Sequence, residues 1–127
     1  VVIYLLDEAE LNRALTAASN CLKPDGLLLL DVPSRATFAN HGCQTDRVNR
    51  NVQICSVGSD IYEYNEEIEL LKEGNLERVF RDKFLIRAWQ ASTVLGIAAQ
   101  CGFELKEDLS SRFRGSGSAY FLLSLSQ

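Results

Sequence analysis

The residues able to do chemistry in this chain are few and scattered. There is one histidine, His41, and there are four cysteines, at 21, 43, 55 and 101. His41, Cys43 and Cys55 could offer metal ligands. Their spacings are irregular and no CxxC pair occurs, so loop and strand positions explain them better than a zinc site does. Cys21 and Cys101 fall in helical patterns beside apolar neighbours, where a thiol packs as a small apolar group. Thiols without a disulfide framework fit a reducing, cytoplasmic setting. Asp31 lies at the end of an apolar run, and ligands gather at the carboxyl ends of strands in α/β sheets. Tyr62 and Tyr64 stand two residues apart, Arg87 ends an extended stretch, and Arg112 and Arg114 flank Phe113. That last pair could attract an anionic ligand. Each also has a plain structural reading: hairpin packing for the tyrosines, a salt-bridged strand end for Arg87, a solvated loop for the arginines. No catalytic residue and no metal site is assigned from these patterns.

Composition bounds what these residues can belong to. At 127 residues the chain has room for one domain with a real core. Apolar residues at 46% and charged residues at 24% are ordinary globular usage, which excludes a disordered, collagen-like or disulfide-stapled chain. No apolar stretch approaches the ~20 residues of a membrane span. A net charge of −4 and a pI near 5.0 argue against a broad nucleic-acid surface. There is no Met, and the chain opens Val-Val-Ile-Tyr-Leu-Leu without the basic n-region of a signal peptide. The expectation is a longer protein entered partway.

The elements follow from periodicity. Val1–Leu6 is a continuous apolar run and predicts a buried strand. Asp7 predicts an N-cap, with Glu10 placed to complete a capping box. Leu11, Leu15, Ala18 and Leu22 step along one helical face, and Pro24-Asp25-Gly26 ends the helix. Leu27–Val32 predicts a second strand buried on both faces, so the opening third predicts a right-handed parallel crossover. Ser34–Ser59 is loop-rich, with a strand expected over Val52–Val57. Ile61–Leu70 and Leu76–Ile86, joined through Lys72-Glu73-Gly74-Asn75, predict a hairpin. Val94, Leu95, Ala98 and Cys101 share the face of a second helix, closed by Gly102. Strands are expected over Phe103–Leu109 and Ala119–Leu125, with a Ser/Gly/Arg loop between them.

Three segments in this order carry a resemblance. Leu22-Lys23-Pro24-Asp25-Gly26-Leu27-Leu28-Leu29-Leu30-Asp31 resembles the "LkPGGllll" segment of class I S-adenosylmethionine-dependent methyltransferases. Phe84-Leu85-Ile86-Arg87-Ala88-Trp89, followed by Ala98-Ala99-Gln100-Cys101-Gly102-Phe103-Glu104-Leu105, resembles their "lR.w…ll..aGFe" segment. Gly115-Ser116-Gly117-Ser118-Ala119-Tyr120-Phe121-Leu122-Leu123 is similar to their final hairpin strand. The chain is thereby identified as resembling the C-terminal half of a small-molecule methyltransferase. The implied fold is α/β: the C-terminal half of a Rossmann-like sheet, three parallel strands plus one antiparallel, with an inserted β-hairpin. Val1–Leu6 would be the family's fourth strand, Leu27–Val32 the fifth, Phe103–Leu109 the sixth and Ala119–Leu125 the antiparallel seventh. Residues 1–127 would form a single domain, with 34–87 an inserted, lid-like loop and hairpin.

The resemblance implies methyl transfer from S-adenosylmethionine to a small-molecule acceptor lying over Asp31–Ser34, framed by His41, Tyr62, Tyr64, Arg87 and Phe113. It also implies a deficit. The family's Gly-rich loop after its first strand, and the acid that holds the cofactor ribose, have no counterpart in these residues. The chain alone is therefore expected to bind S-adenosylmethionine poorly and to be inactive by itself. The competing reading is a non-catalytic association module. An uncovered Val1–Leu6 edge would pair with a second copy or with an N-terminal half, and the hairpin Ile61–Ile86 is the alternative contact surface. Neither nucleic acid nor membrane is expected as a partner.

Overall fold

A computed structural model describes residues 1–126. The chain divides into two compact units, Phe38–Ile86 and the two flanking stretches, Val1–Thr37 together with Arg87 onward.

In the flanking unit, helix α1 spans Glu8–Cys21. Its cap is a variant of the expected box. Asp7 Oδ1 accepts from the Glu10 amide at 2.8 Å, but Glu10 Oε2 accepts from the Leu6 amide, at 2.7 Å, and not from that of Asp7. Leu11 and Leu15 are buried, and Ala18 and Leu22 pack beside them. Cys21 is exposed at the helix end, contrary to the core position expected of it. Cys101 is half-buried against the core.

Val1–Leu6 is not a strand. Val2–Tyr4 forms a 3-10 turn with Val2 alone buried. The indole Nε1 of Trp89 explains why: it donates to the carbonyl oxygens of both Val2 and Leu5, at 3.0 Å each. One donor serving two carbonyls three residues apart needs a turn, not an extended chain. The strand edge expected here, and the pairing surface it would have offered, do not exist.

Strands β1 (Leu27–Pro33), β6 (Phe103–Asp108) and β7 (Ser118–Leu125) form one sheet in the order β1-β7-β6. The expected parallel sheet is overturned: both hydrogen-bonded ladders are antiparallel. β1 and β6 do run in the same direction, but β7 lies between them and takes every ladder bond. Among the described residues no hydrogen-bonded parallel pair occurs in this sheet. A shift in register falls between Leu105 and Glu107. β1 is also not buried on both faces, since Leu27 and Leu29 are about half exposed. Helix α2 spans Ala91–Gln100 and buries Val94, Ile97 and Ala98. It ends at Gly102, whose φ of +90° needs a residue without Cβ. The core joins Val2, Leu11, Leu15, Val32, Trp89, Val94, Ile97, Phe103, Phe121 and Leu123.

The insertion is larger in regular structure than the expected hairpin. β2 (His41–Gln44), β3 (Val48–Ser56), β4 (Ile61–Lys72) and β5 (Asn75–Arg87) form a four-stranded sheet in sequence order. Glu73 and Gly74, with φ of 52° and 78°, make the two-residue turn between β4 and β5. Positive φ at both central positions matches strand twist and produces a tight hairpin. At Gly42 a Cβ would overlap the Arg50 carbonyl oxygen on β3, so the β2–β3 ladder depends on glycine there.

Candidate functional site

The chemistry-bearing residues divide between the two units. In the helix-covered unit Asp31 does not close its strand: β1 continues to Pro33, and Asp31 stands opposite Tyr120 of β7. The Tyr120 ring lies against Phe113, with centroids 4.5 Å apart. Tyr120 thus links two of the sequence-derived candidates. Arg112 Nη2 donates to Glu107 Oε1 at 2.7 Å, so one of the arginines beside Phe113 is already neutralised. Arg87 has structural contacts. Its guanidinium carbon lies 3.8 Å from the Trp89 ring centroid, its Nη1 donates to the Leu6 carbonyl, and its Nε is buried without a partner. Together Arg87 and Trp89 clamp the opening turn.

In the inserted unit one face of the sheet carries a polar cluster that sequence reasoning saw only in part. Tyr64 was a candidate; Arg50 and Glu66 were not. Glu66 Oε2 accepts from Arg50 Nε at 3.1 Å, from Arg50 Nη2 at 2.7 Å and from the Tyr64 hydroxyl at 2.7 Å. The register that brings them together runs Arg50↔Ile68, Val52↔Glu66 and Ile54↔Tyr64. Because side chains alternate along a strand, all six share one face. His41 stands opposite Val52 and joins that face. Its Nδ1 lies 3.0 Å from the Ala39 carbonyl oxygen. Tyr64 stacks on Phe84 at 4.5 Å, and Tyr62 meets Phe38 at 5.1 Å.

The electrostatics of the cluster are settled by its hydrogen bonds. The Tyr64 hydroxyl, then the Arg50 guanidinium, hold the Glu66 carboxyl below the usual carboxylate range, against an opposing effect of burial. Burial, then donation to Glu66, pushes the Tyr64 phenol up. The Arg50 guanidinium is raised, chiefly by Glu66. At neutral pH the set is a carboxylate, a neutral phenol and a cation. All three donors converge on Oε2, so Glu66 Oε1 takes part in none of these bonds.

The opposite face was missed altogether. Asn51, Gln53, Asn65, Glu67, Arg81 and Lys83, joined by Glu66 and Asp82, line an open groove of about 460 Å³. Arg81 Nε donates to Glu67 Oε2 at 2.8 Å, and Asn65 Nδ2 donates to Glu63 Oε1 at 3.1 Å. The signal was present in the sequence as polar residues two apart in three successive strands. Among the described residues no three His, Cys, Asp or Glu side chains gather as a metal site.

Comparison with solved structures turns this geometry into a fold assignment. A S-adenosylmethionine-dependent methyltransferase from Clostridium acetobutylicum superposes with a TM-score of 0.83 at 14% identity, over 99% of this chain and 55% of its own. The sugar N-methyltransferase KedS8 from Streptoalloteichus gives 0.76 at 23% identity, over 99% and 53%. CalS10, an amino pentose methyltransferase from Micromonospora echinaspora, gives 0.74 at 20% identity, over 98% and 54%.

The fold is that of a class I S-adenosylmethionine-dependent methyltransferase.

The chain spans about half the length of the methyltransferases it matches. No sequence-family model matches it, and no curated protein matches it. Among the described residues neither helix opens on a glycine turn: α1 is capped by Asp7, and α2 follows Gln90. The positive-φ glycines Gly115 and Gly117 precede a strand, and a Cβ on Gly117 would strike the Thr37 methyl. Internal packing therefore accounts for that glycine. The residues present do not by themselves fit a methyltransferase cofactor site.

Proposed function

We propose that the chain forms the C-terminal, acceptor side of a S-adenosylmethionine-dependent methyltransferase acting on a small hydroxylated molecule in the cytoplasm. The observation that carries this reading is the fold itself, shared with methyltransferases over nearly the whole chain. The acceptor class draws on two of those proteins, one described as acting on a sugar and one as an amino pentose methyltransferase. The Glu66 cluster supports it. A carboxylate whose Oε2 is saturated by internal donors has its other oxygen available to a hydroxyl or ammonium group. His41, Tyr62 and Tyr64, which share the sheet face of Glu66, are further proposed acceptor contacts; Asp31 and Phe113 are proposed for the flanking unit by itself, and Arg87 would act by holding the opening turn. The half-exposed Leu27 and Leu29 support a sheet with more structure to pack on its outer face. Four free cysteines suit the reducing compartment.

The test is methyl transfer from labelled S-adenosylmethionine to a panel of amino sugars, using the longest natural polypeptide that contains these residues. Transfer is expected, and Glu66→Gln should lower kcat/KM roughly tenfold or more, the worth of one charge-assisted hydrogen bond. Absence of transfer to every member of the panel overturns the acceptor class. Calorimetry on the 127-residue chain should show weak S-adenosylmethionine binding. Micromolar affinity would show that these residues build a cofactor site without a further half.

A further inference from the structure

His41, Val52 and Glu66 form one row across three strands of the inserted unit, because β2 sets His41 against Val52 and β4 sets Glu66 against the same residue. Neighbouring strands lie about 4.8 Å apart, which separates the outer two backbones by roughly 10 Å. Val52 is fully buried between them, so the row has a dry, apolar base. The groups on either side are both acceptors that lack a donor. The Ala39 carbonyl oxygen beside His41 Nδ1 can only accept, so Nδ1 carries the hydrogen of the neutral ring. Nε2 keeps a lone pair, and among the described residues nothing bonds to it. On the other side Glu66 Oε2 is occupied by Arg50 and Tyr64, which leaves Oε1 open. The two groups also feel each other: His41 is among the charges that hold the Glu66 carboxyl low, after Tyr64 and Arg50.

We propose that His41 Nε2 takes a proton from an ammonium group of the acceptor, which Glu66 Oε1 holds against it. This rests on the acceptor reading above and adds the group that removes the proton. Two open acceptors facing one atom call for an atom with at least two hydrogens to give. A protonated amine has them; a hydroxyl has one. A protonated amine also has no lone pair, so it must lose a proton before its nitrogen can be methylated. In that step an N–H bond breaks, its electron pair stays on the acceptor nitrogen, and the hydrogen bonds to Nε2. The ring becomes an imidazolium. Its Nδ1–H donates to the Ala39 carbonyl before and after, so the ring need not turn. The Glu66 carboxylate balances the positive charge on either side of the transfer. Imidazole is the side-chain type suited to exchanging a proton near neutral pH. His41 is exposed, so the proton can pass on to water. The other titratable or charged groups on this face of β2, β3 and β4 are Cys43, Arg50 and Tyr64. Arg50 and Tyr64 already donate to Glu66, and Cys43 stands opposite Arg50, outside the row.

Nitrogen NMR of the single histidine in the 127-residue chain is the first test, and it needs no cofactor. At neutral pH it should show hydrogen on Nδ1 and none on Nε2. Glucosamine should shift the Nε2 resonance. N-acetylglucosamine, which has no ammonium, should not, and Glu66→Gln should abolish the glucosamine shift. The second test uses the longest natural polypeptide that contains these residues, with labelled S-adenosylmethionine and an amino-sugar acceptor. His41→Gln should lower kcat about a hundredfold or more with KM nearly unchanged. His41→Ala should regain rate when imidazole is added, which a packing role would not give. Hydrogen on Nε2 in the neutral ring overturns the proposal. So does a glucosamine shift that is absent, matched by N-acetylglucosamine or kept in Glu66→Gln, and so does a His41→Gln protein that works at full rate. A wild-type polypeptide that methylates no amino sugar overturns the acceptor reading instead, while the histidine spectra still decide whether His41 and Glu66 take an ammonium between them.

Discussion

The three-stranded sheet lies under two helices and contributes to a core in which Leu11, Val94, Ala98 and Leu123 are essentially inaccessible to water. The four-stranded sheet has more strand and no helix, and Val52 and Ile86 are its fully buried apolar residues. Its side chains spend their interactions on one another: Arg50 with Glu66, Arg81 with Glu67, Lys83 with Glu63. The first arrangement gains from removing apolar area from water, a gain that salt does not screen and moderate pH does not titrate. The second rests on backbone ladders and on ion pairs that solvent screens. One chain thus holds a unit governed by packing beside a unit governed by charge and register.

Trp89→Ala should give the largest effect. It removes a buried aromatic and the donor that holds the Val2 and Leu5 carbonyls, at a cost of about 3–5 kcal/mol in chemical denaturation. If the comparison holds, amide exchange speeds up in the helix-covered unit first. Gly42→Ala should come next. Forcing a Cβ against the Arg50 carbonyl should cost about 1–3 kcal/mol, confined to β2 and β3 as read by amide exchange. Asp7→Ala removes the α1 cap and should cost about 1 kcal/mol, read by thermal melting.

Acid should separate the units with a smaller effect. Glu63, Glu66 and Glu67 are all held below their ordinary range, by Asn65, Tyr64 and Arg81 respectively as the leading partners. A depressed carboxyl contributes its full stability above the unfolded pKa, near ~4.3, and loses it as pH falls through the lower folded value. Two-dimensional NMR should therefore show the inserted sheet losing dispersion first on acidification below that point. Glu66→Gln should flatten that loss. Simultaneous loss in both units would break the comparison. The smallest expected effect is that of Arg112→Ala. The Arg112–Glu107 pair is solvent-exposed, and its removal should cost under about 0.5 kcal/mol in chemical denaturation.

Both helices, β1, the β4–β5 turn and the closing pair of strands were legible because each has a local signal. Asp7 and Glu10 marked one helix start, Gly102 one helix end, and Glu73-Gly74 one turn. Val1–Leu6 misled because apolar, β-branched composition predicts a strand, whereas the local conformation is imposed by Trp89, more than eighty residues away. Strand direction misled for a similar reason: no residue of β1 records that β7 will lie beside it. In the candidate site Tyr64 could be singled out by type, but Glu66 and Arg50 could not. Their partnership requires the β3–β4 register, which aligns Val52 with Glu66 and is not written in either strand alone.

The unit built from the two flanking stretches cannot assemble until the chain between Thr37 and Arg87 has been spanned. Closing an unstructured loop of about 50 residues costs roughly 3 kcal/mol of chain entropy. The inserted sheet lowers that barrier because its own contacts are short-range: each strand pairs with the next, and the tightest connection is the Glu73-Gly74 turn. Hairpins of this sort form in microseconds, before distant segments meet. Contacts this local favour early formation of the polar sheet, ahead of the pairing of the two flanking stretches. A turn substituted at Gly74 by a β-branched residue would consequently slow the folding of a hydrophobic core that it never touches.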